Sequence, residues 1–139
     1  MAKVLIVYVT TTGNTEKMAN IIADSAKAAG ADVTCKTVGE ASVAELAGYD
    51  VVAFGSPALG AEVLEEAEME PFFSDAAGSL GGKKVALFGS YDWGDGEWLR
   101  TWEDRCKEAG ADVIATVKAH LEPDDDATAE CKAFGAKLA

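Results

Sequence analysis

Two periods of hydrophobicity alternate along the chain. Val4–Val9 (VLIVYV) is a nearly unbroken apolar run, the pattern of a parallel strand covered on both faces. Residues 14–29 then change period. Met18, Ile21, Ile22, Ala26 and Ala29 form one stripe, with Glu16, Lys17, Asp24 and Lys27 off it, which predicts an amphipathic helix. Asn14 or Thr15 can cap its start and Gly30 stops it. Val33–Val38 reads as a second, more polar strand suited to a sheet edge. A short helix near Val43–Ala47 precedes a third, buried strand, Val51–Gly55. Residues 64–77 read as helical with a break near Pro71, and Lys84–Gly89 as the fourth strand. Trp98–Ala109 is an amphipathic helix closed by Gly110, and Val113–Val117 the fifth strand. The closing helix, Asp124–Leu138, has three aspartates at its start, where they complement the helix dipole.

Five strands alternating with helices predict a doubly wound α/β fold, a five-stranded parallel sheet with helices on both faces. No repeat, linker or low-complexity stretch divides residues 1–139, so one domain is expected. In such folds a ligand sits beyond the carboxyl ends of the strands, where the strand order reverses. The chemistry is therefore sought after strands one, three and four.

After strand one comes Thr10-Thr11-Thr12-Gly13-Asn14-Thr15, opening directly into a helix. Four hydroxyls, an amide and a glycine at a helix N-terminus suit a phosphate, whereas capping needs only one such residue. The loop matches neither G-x-x-x-x-G-K-[ST] nor G-x-G-x-x-G, which argues against nucleoside triphosphate and dinucleotide sites. It contains no Lys or Arg, so neutral donors and the helix dipole would hold the phosphate. After strand three, Ser56-Pro57-Ala58-Leu59-Gly60-Ala61-Glu62 offers a further hydroxyl, an apolar face, a permissive backbone and a carboxylate. It reads equally as an ordinary strand-to-helix loop. After strand four, Ser90-Tyr91-Asp92-Trp93-Gly94 places an indole among turn residues. Trp93 there either stacks on a flat heteroaromatic ring or packs on its own loop. Trp98 and Trp102, four apart on the next helix, are expected in the core. A phosphate cradle, an apolar wall, a stacking indole and a carboxylate for a ring N–H together fit riboflavin phosphate. No acid–base dyad or paired nucleophile accompanies them, so the protein is expected to bind its chemistry rather than perform turnover of its own.

The net charge is −12, with a pI near 4.4, which disfavours nucleic acid as a partner. Three widely spaced cysteines, Cys35, Cys106 and Cys131, with no C-x-x-C, argue against a disulfide framework or metal cluster. The single His120 has no metal-ligating neighbour in sequence. The apolar start is too short and wrongly flanked for a signal peptide or membrane span, so a cytoplasmic protein without membrane contact is expected.

These three ordered loops resemble the short-chain flavodoxins, particularly those of anaerobic bacteria, and the likeness covers essentially the whole chain. The resemblance implies the flavodoxin-like strand order 2-1-3-4-5 and non-covalently bound FMN. Thr10, Thr12, Asn14, Thr15 and Ser56 would bind the phosphate. Leu59 would cover the inner face of the ring, Trp93 the outer face, and Glu62 would accept from N3–H. The backbone amides of Asp92 and Trp93 would approach the N1/O2 edge. The family works as a low-potential one-electron carrier, passing through the semiquinone and replacing ferredoxin. Its partners are larger oxidoreductases and nitrogenase-type acceptors. A monomer is the default expectation. Close relatives have Trp, Gly, Met and Gly where this chain has Val9, Thr11, Leu59 and Asp92. Asp92 puts a carboxylate near N1, which is expected to lower the potential of the second electron.

In the same resemblance, Gly60-Ala61 occupies the turn beside flavin N5. A type II′ turn needs φ > 0 at Gly60, which is free, whereas type II needs it at Ala61, at a cost of about 1 kcal/mol. That bias favours the Gly60 carbonyl facing N5 and corresponds to about 40 mV for one electron. Glu62, Glu65, Glu66, Glu68, Glu70, Asp92, Asp95 and Glu97 lie around this edge, either as a solvated acidic face or as a docking ring for a basic partner. Two rivals share the fold. A phospho-receiver would need aspartate clusters where Thr10–Thr15 and Ser56–Ala58 stand. An FMN-dependent reductase usually carries longer loops around a substrate pocket.

Overall fold

A computed structural model describes residues 2–10, 13–58, 65, 67–91 and 96–139. Its strands are β1 (Lys3–Tyr8), β2 (Asp32–Thr37), β3 (Val51–Gly55), β4 (Lys84–Tyr91) and β5 (Asp112–His120). All pair in parallel, in the order β2-β1-β3-β4-β5. The helices are α1 (Asn14–Ala28), α2 (Met69–Ala76), α3 (Glu97–Glu108) and α4 (Asp125–Leu138). Short 3₁₀ segments, Val38–Glu40 and Val43–Gly48, stand where the sequence predicts the end of a strand and a short helix.

Burial on two sides explains why β1 lacks a polar face. Successive strand side chains point to opposite faces. Val4, Ile6 and Tyr8 join Met18, Ile22, Phe88 and Phe134 under α1 and α4. Leu5, Val7 and Val9 join Leu46, Phe54, Phe73 and Trp102 under α2 and α3. On that second face Phe54 meets Phe73 and Trp102 with ring centroids 5.5 and 6.2 Å apart. Trp98 and Trp102 are buried, as the helical spacing requires. β2 is half-buried along most of its length, as an edge strand should be.

Two element boundaries depart from the sequence pattern and a third keeps to it. Pro71 does not break the helix predicted over 64–77; it lies in the first turn of α2, where its missing N–H would have no intrahelical partner anyway. Within that predicted span, residues 64 and 66 lie outside the described residues. β5 runs past Val117 to His120 because Lys118, Ala119 and His120 pair with Gly89, Ser90 and Tyr91 of β4. There Val117 and Ala119 are buried while Lys118 and His120 are exposed, an alternation that breaks the continuous apolar run. α1 ends at Gly30 as expected: Gly30 takes φ +103°, and the Ala31 N–H donates to Ala26 O at 3.0 Å.

Candidate functional site

The strand order reverses at β1, and the loops after β1, β3 and β4 meet at its carboxyl end. The backbone ladder continues beyond the strands. Val9 N–H donates to Gly55 O (3.0 Å), Ser56 N–H to Phe88 O (3.1 Å) and Ala58 N–H to Ser90 O (2.9 Å). The three loops therefore start from a shared, hydrogen-bonded floor.

In the first loop the expected side-chain cap is not the one found. Gly13 occupies the N-cap position of α1 at φ 91°, ψ −7°, and among the described residues no side-chain cap is found. The left-handed backbone explains the glycine. Gly13 N–H donates to Thr10 Oγ1 (3.0 Å), and its carbonyl accepts from Lys17 N–H (3.1 Å). Among the described residues the other N–H groups of α1's first turn have no acceptor, the arrangement that binds anions. Thr15 is buried and its hydroxyl lies 3.0 Å from that of Ser90, tying the first loop to the third. Asn14 and Thr10 are half-buried, and Thr11 and Thr12 lie outside the described residues. At the two mouths of the loop, the hydroxyl of the buried Tyr8 donates to Glu16 Oε2 at 3.1 Å. Burial, then the bond to Glu16, pushes the Tyr8 phenol up to about 12, so it stays protonated as the donor.

In the second loop, Ser56 does not present a free hydroxyl. It is wholly buried, donates to Pro57 O (2.9 Å) and accepts from Glu65 N–H (3.1 Å). With its one proton engaged there, it braces the loop. Pro57 is buried and Ala58 half-buried; Leu59, Gly60, Ala61 and Glu62 lie outside the described residues. The turn reading at Gly60-Ala61 lies outside them too. Glu65, read from sequence as one of an acidic ring, is 6% exposed. Its carboxylate accepts from the N–H groups of Ala67 (3.0 Å), Glu68 (2.7 Å) and Met69 (2.9 Å), capping α2. Glu70 is likewise engaged, by Arg105 Nη1 at 2.7 Å. Glu68 and Glu97 are exposed, and Glu62, Glu66, Asp92 and Asp95 lie outside the described residues.

In the third loop, Ser90 is buried against Thr15, and the half-buried Tyr91 packs its ring on Trp98 and His120, at 5.7 and 5.2 Å. Asp92, Trp93 and Gly94 lie outside the described residues. Gly89, just before Ser90, is required by close approach: a Cβ built there would stand 2.0 Å from Ser56 O. Sequence reasoning missed the bracing roles of Tyr8, Glu16, Glu65 and Gly89. For Glu16 and Glu65 the available signal was an acidic residue at or just before a helix start. Among the described residues, no group of three His, Cys, Asp or Glu could hold a metal, and no helix is long and apolar enough to cross a membrane.

The donors fit a phosphomonoester: helix amides with no acceptor among the described residues stand at the switch point of an open sheet. The flavodoxin family model matches residues 6–135. The flavodoxin of Megasphaera elsdenii is 49% identical over 130 residues, spanning 94% of this chain and 93% of that one. The flavodoxin of Clostridium beijerinckii is 45% identical over 134 residues, spanning 96% and 97%. The solution structure of two-electron reduced Megasphaera elsdenii flavodoxin superposes with a TM-score of 0.92 at 48% identity, covering 97% of each chain. With a family model over nearly its whole length and such relatives, the chain belongs to the flavodoxin family, whose members hold FMN and carry electrons at low potential.

Proposed function

We propose that residues 1–139 form one FMN-binding unit that carries single electrons between larger redox enzymes and turns over no substrate of its own. The observation that carries the assignment of the site is the first turn of α1, without a side-chain cap among the described residues, at the carboxyl end of a central strand. On this reading the FMN phosphate is held by Thr10, Thr11, Thr12, Gly13, Asn14 and Thr15. Pro57, Ala58, Leu59, Gly60, Ala61 and Glu62 line one side of the ring, with Glu62 at N3–H. Ser90, Tyr91, Asp92, Trp93 and Gly94 line the other, with Trp93 stacked on it. Ser56 and Ser90 brace these walls from below through Glu65 and Thr15.

FMN, when bound, supplies the one-electron couples; the chain's part is to bind it, orient it and shape its surroundings. The net charge of −12 supports partners with basic docking faces, of the ferredoxin-linked oxidoreductase and nitrogenase type. It also fits a monomer working in the cytoplasm. The direct test is stepwise anaerobic reduction of the purified, FMN-reconstituted protein, followed by visible absorption. Flavin bands that bleach in two separate one-electron stages are expected, without NAD(P)H oxidation in the absence of a partner. A protein that stays colourless after incubation with FMN would overturn the assignment.

A further inference from the structure

We infer that Tyr8 is a positioning residue for the anion site: it holds the Glu16 carboxylate away from the open first turn of α1 and so keeps that turn free for phosphate. The inference rests on the phosphate reading of this turn given above. Glu16 is the third residue of the helix, counting from the Gly13 cap. An acid at this position ordinarily reaches back to the cap residue's N–H or settles against the positive end of the helix dipole. Here the Gly13 N–H is already taken by Thr10 Oγ1. The remaining amides of the first turn would be the carboxylate's natural target, and the same amides are what an anionic ligand needs.

The structure resolves this competition with one bond. Tyr8 ends β1, one residue before the loop, and its ring is packed in the core with Met18 and Ile22. Its hydroxyl donates to Glu16 Oε2 across the mouth of the loop. The ring cannot follow the carboxylate outward, so the bond fixes where the charge of Glu16 sits. Without it, an exposed glutamate on a rotatable stem is free to cap the amides itself and to repel a phosphate dianion. The same bond joins residues 8 and 16 and so fixes the separation of the loop's two ends.

Four proteins compared by titration with FMN and with riboflavin, which lacks the phosphate, test the idea: parent, Tyr8→Phe, Glu16→Gln and the double variant. Tyr8→Phe keeps the packed ring and removes only the hydroxyl. It is expected to raise the FMN Kd about tenfold while changing the riboflavin Kd less than about twofold. Glu16→Gln removes the competing charge, so the double variant should recover FMN affinity to within about twofold of the parent. A loss in Tyr8→Phe that persists in the double variant, or that is equal for riboflavin, would make Tyr8 a plain structural brace and overturn the inference. Unchanged FMN affinity in Tyr8→Phe would overturn it too. A parent that binds riboflavin and FMN equally, or neither, would instead overturn the phosphate reading, and this inference with it.

Discussion

Truncating Glu65 tests the claim that a buried carboxylate, not a surface charge, organises the second loop. Its Oε1 accepts from Glu68 N–H at 2.7 Å and Met69 N–H at 2.9 Å, and its Oε2 from Ala67 N–H at 3.0 Å. Hydrogen bonds to a charged group contribute about 1.5–3 kcal/mol each, but the three losses do not add. Ala67 and Glu68 are exposed, so water replaces the carboxylate for their N–H groups. Met69 is fully buried, and its N–H would be stranded at a cost of about 1–3 kcal/mol. Loss of the cap on α2 adds about 1 kcal/mol. Glu65→Ala is therefore expected to destabilise the fold by about 2–4 kcal/mol. That corresponds to about 6–15 °C in Tm for a domain of this size. Glu65→Gln keeps one acceptor oxygen, enough for the Glu68 and Met69 amides. It sets an NH₂ against Ala67 N–H, for a loss of about 1–2 kcal/mol. Glu68→Gln, an exposed neighbour, should stay within about 0.5 kcal/mol of the parent. Urea unfolding of the FMN-free proteins followed by circular dichroism measures all three, with unchanged m-values as the check on comparability. A Glu65→Ala protein within about 1 kcal/mol of the parent would refute the reasoning, because the carboxylate would then be dispensable to α2.

The fully buried Cys106 and Cys131 have thiols pushed up by burial to about 12 and about 11. With folded values above the unfolded value of 9.0, their contribution is complete below pH 9 and lost as pH rises through about 11 for Cys131 and about 12 for Cys106. Stability should fall by about 2 kcal/mol per pH unit from these two groups between pH 9 and 11, and by much less in Cys106→Ala/Cys131→Ala. Urea midpoints at pH 8, 9 and 10 decide it, an equal slope in both proteins counting against the assignment. Gly89→Ala would drive a methyl to 2.0 Å from Ser56 O and 3.0 Å from the Trp98 ring. Overpacking of this kind costs about 1–3 kcal/mol, and shifting Ser56–Ala58 should weaken FMN at least tenfold by fluorescence titration. Parent-like affinity and Tm would mean the backbone yields without moving the loop. Electron transfer to a partner with a basic face should slow steeply between 0.01 and 0.15 M salt, as the screening length falls from about 30 to about 8 Å. Stopped-flow rates independent of salt would remove the acidic edge from recognition.

The fold was legible because its signals are long and redundant. A strand covered on both faces shows as an unbroken apolar run, as in Val4–Val9, and the switch to helical spacing after Gly13 marks the crossover. The misread places are those where a neighbour, not the local pattern, decides. β5 extends to His120 because β4 offers Gly89–Tyr91 as partners. α2 tolerates Pro71 because Glu65, outside the helix, fixes where its first turn begins. No window of sequence around Pro71 contains that information without knowing that Glu65 is buried.

At the site the same limit takes a chemical form. Hydroxyl, amide and carboxylate residues were recognisable as a polar cluster at one sheet edge, but a polar side chain has two uses there, facing a ligand or bracing the loop. Composition assigns both uses to the same residue types. Thr10 and Ser56 look alike in sequence. Thr10 Oγ1 accepts from Gly13 N–H, which sets the helix start, whereas the Ser56 hydroxyl is consumed between Pro57 and Glu65. Only burial and hydrogen-bond direction separate the roles, and both depend on chain segments far apart in sequence, such as Thr15 and Ser90. The braces also explain why the acidic edge is smaller than the sequence suggests. Of the eight carboxylates read there, Glu65 is committed to α2 and Glu70 to Arg105. Charge available to steer a partner therefore has to come from the remaining acids around the loops, and a salt titration reads that remainder rather than the whole run of glutamates.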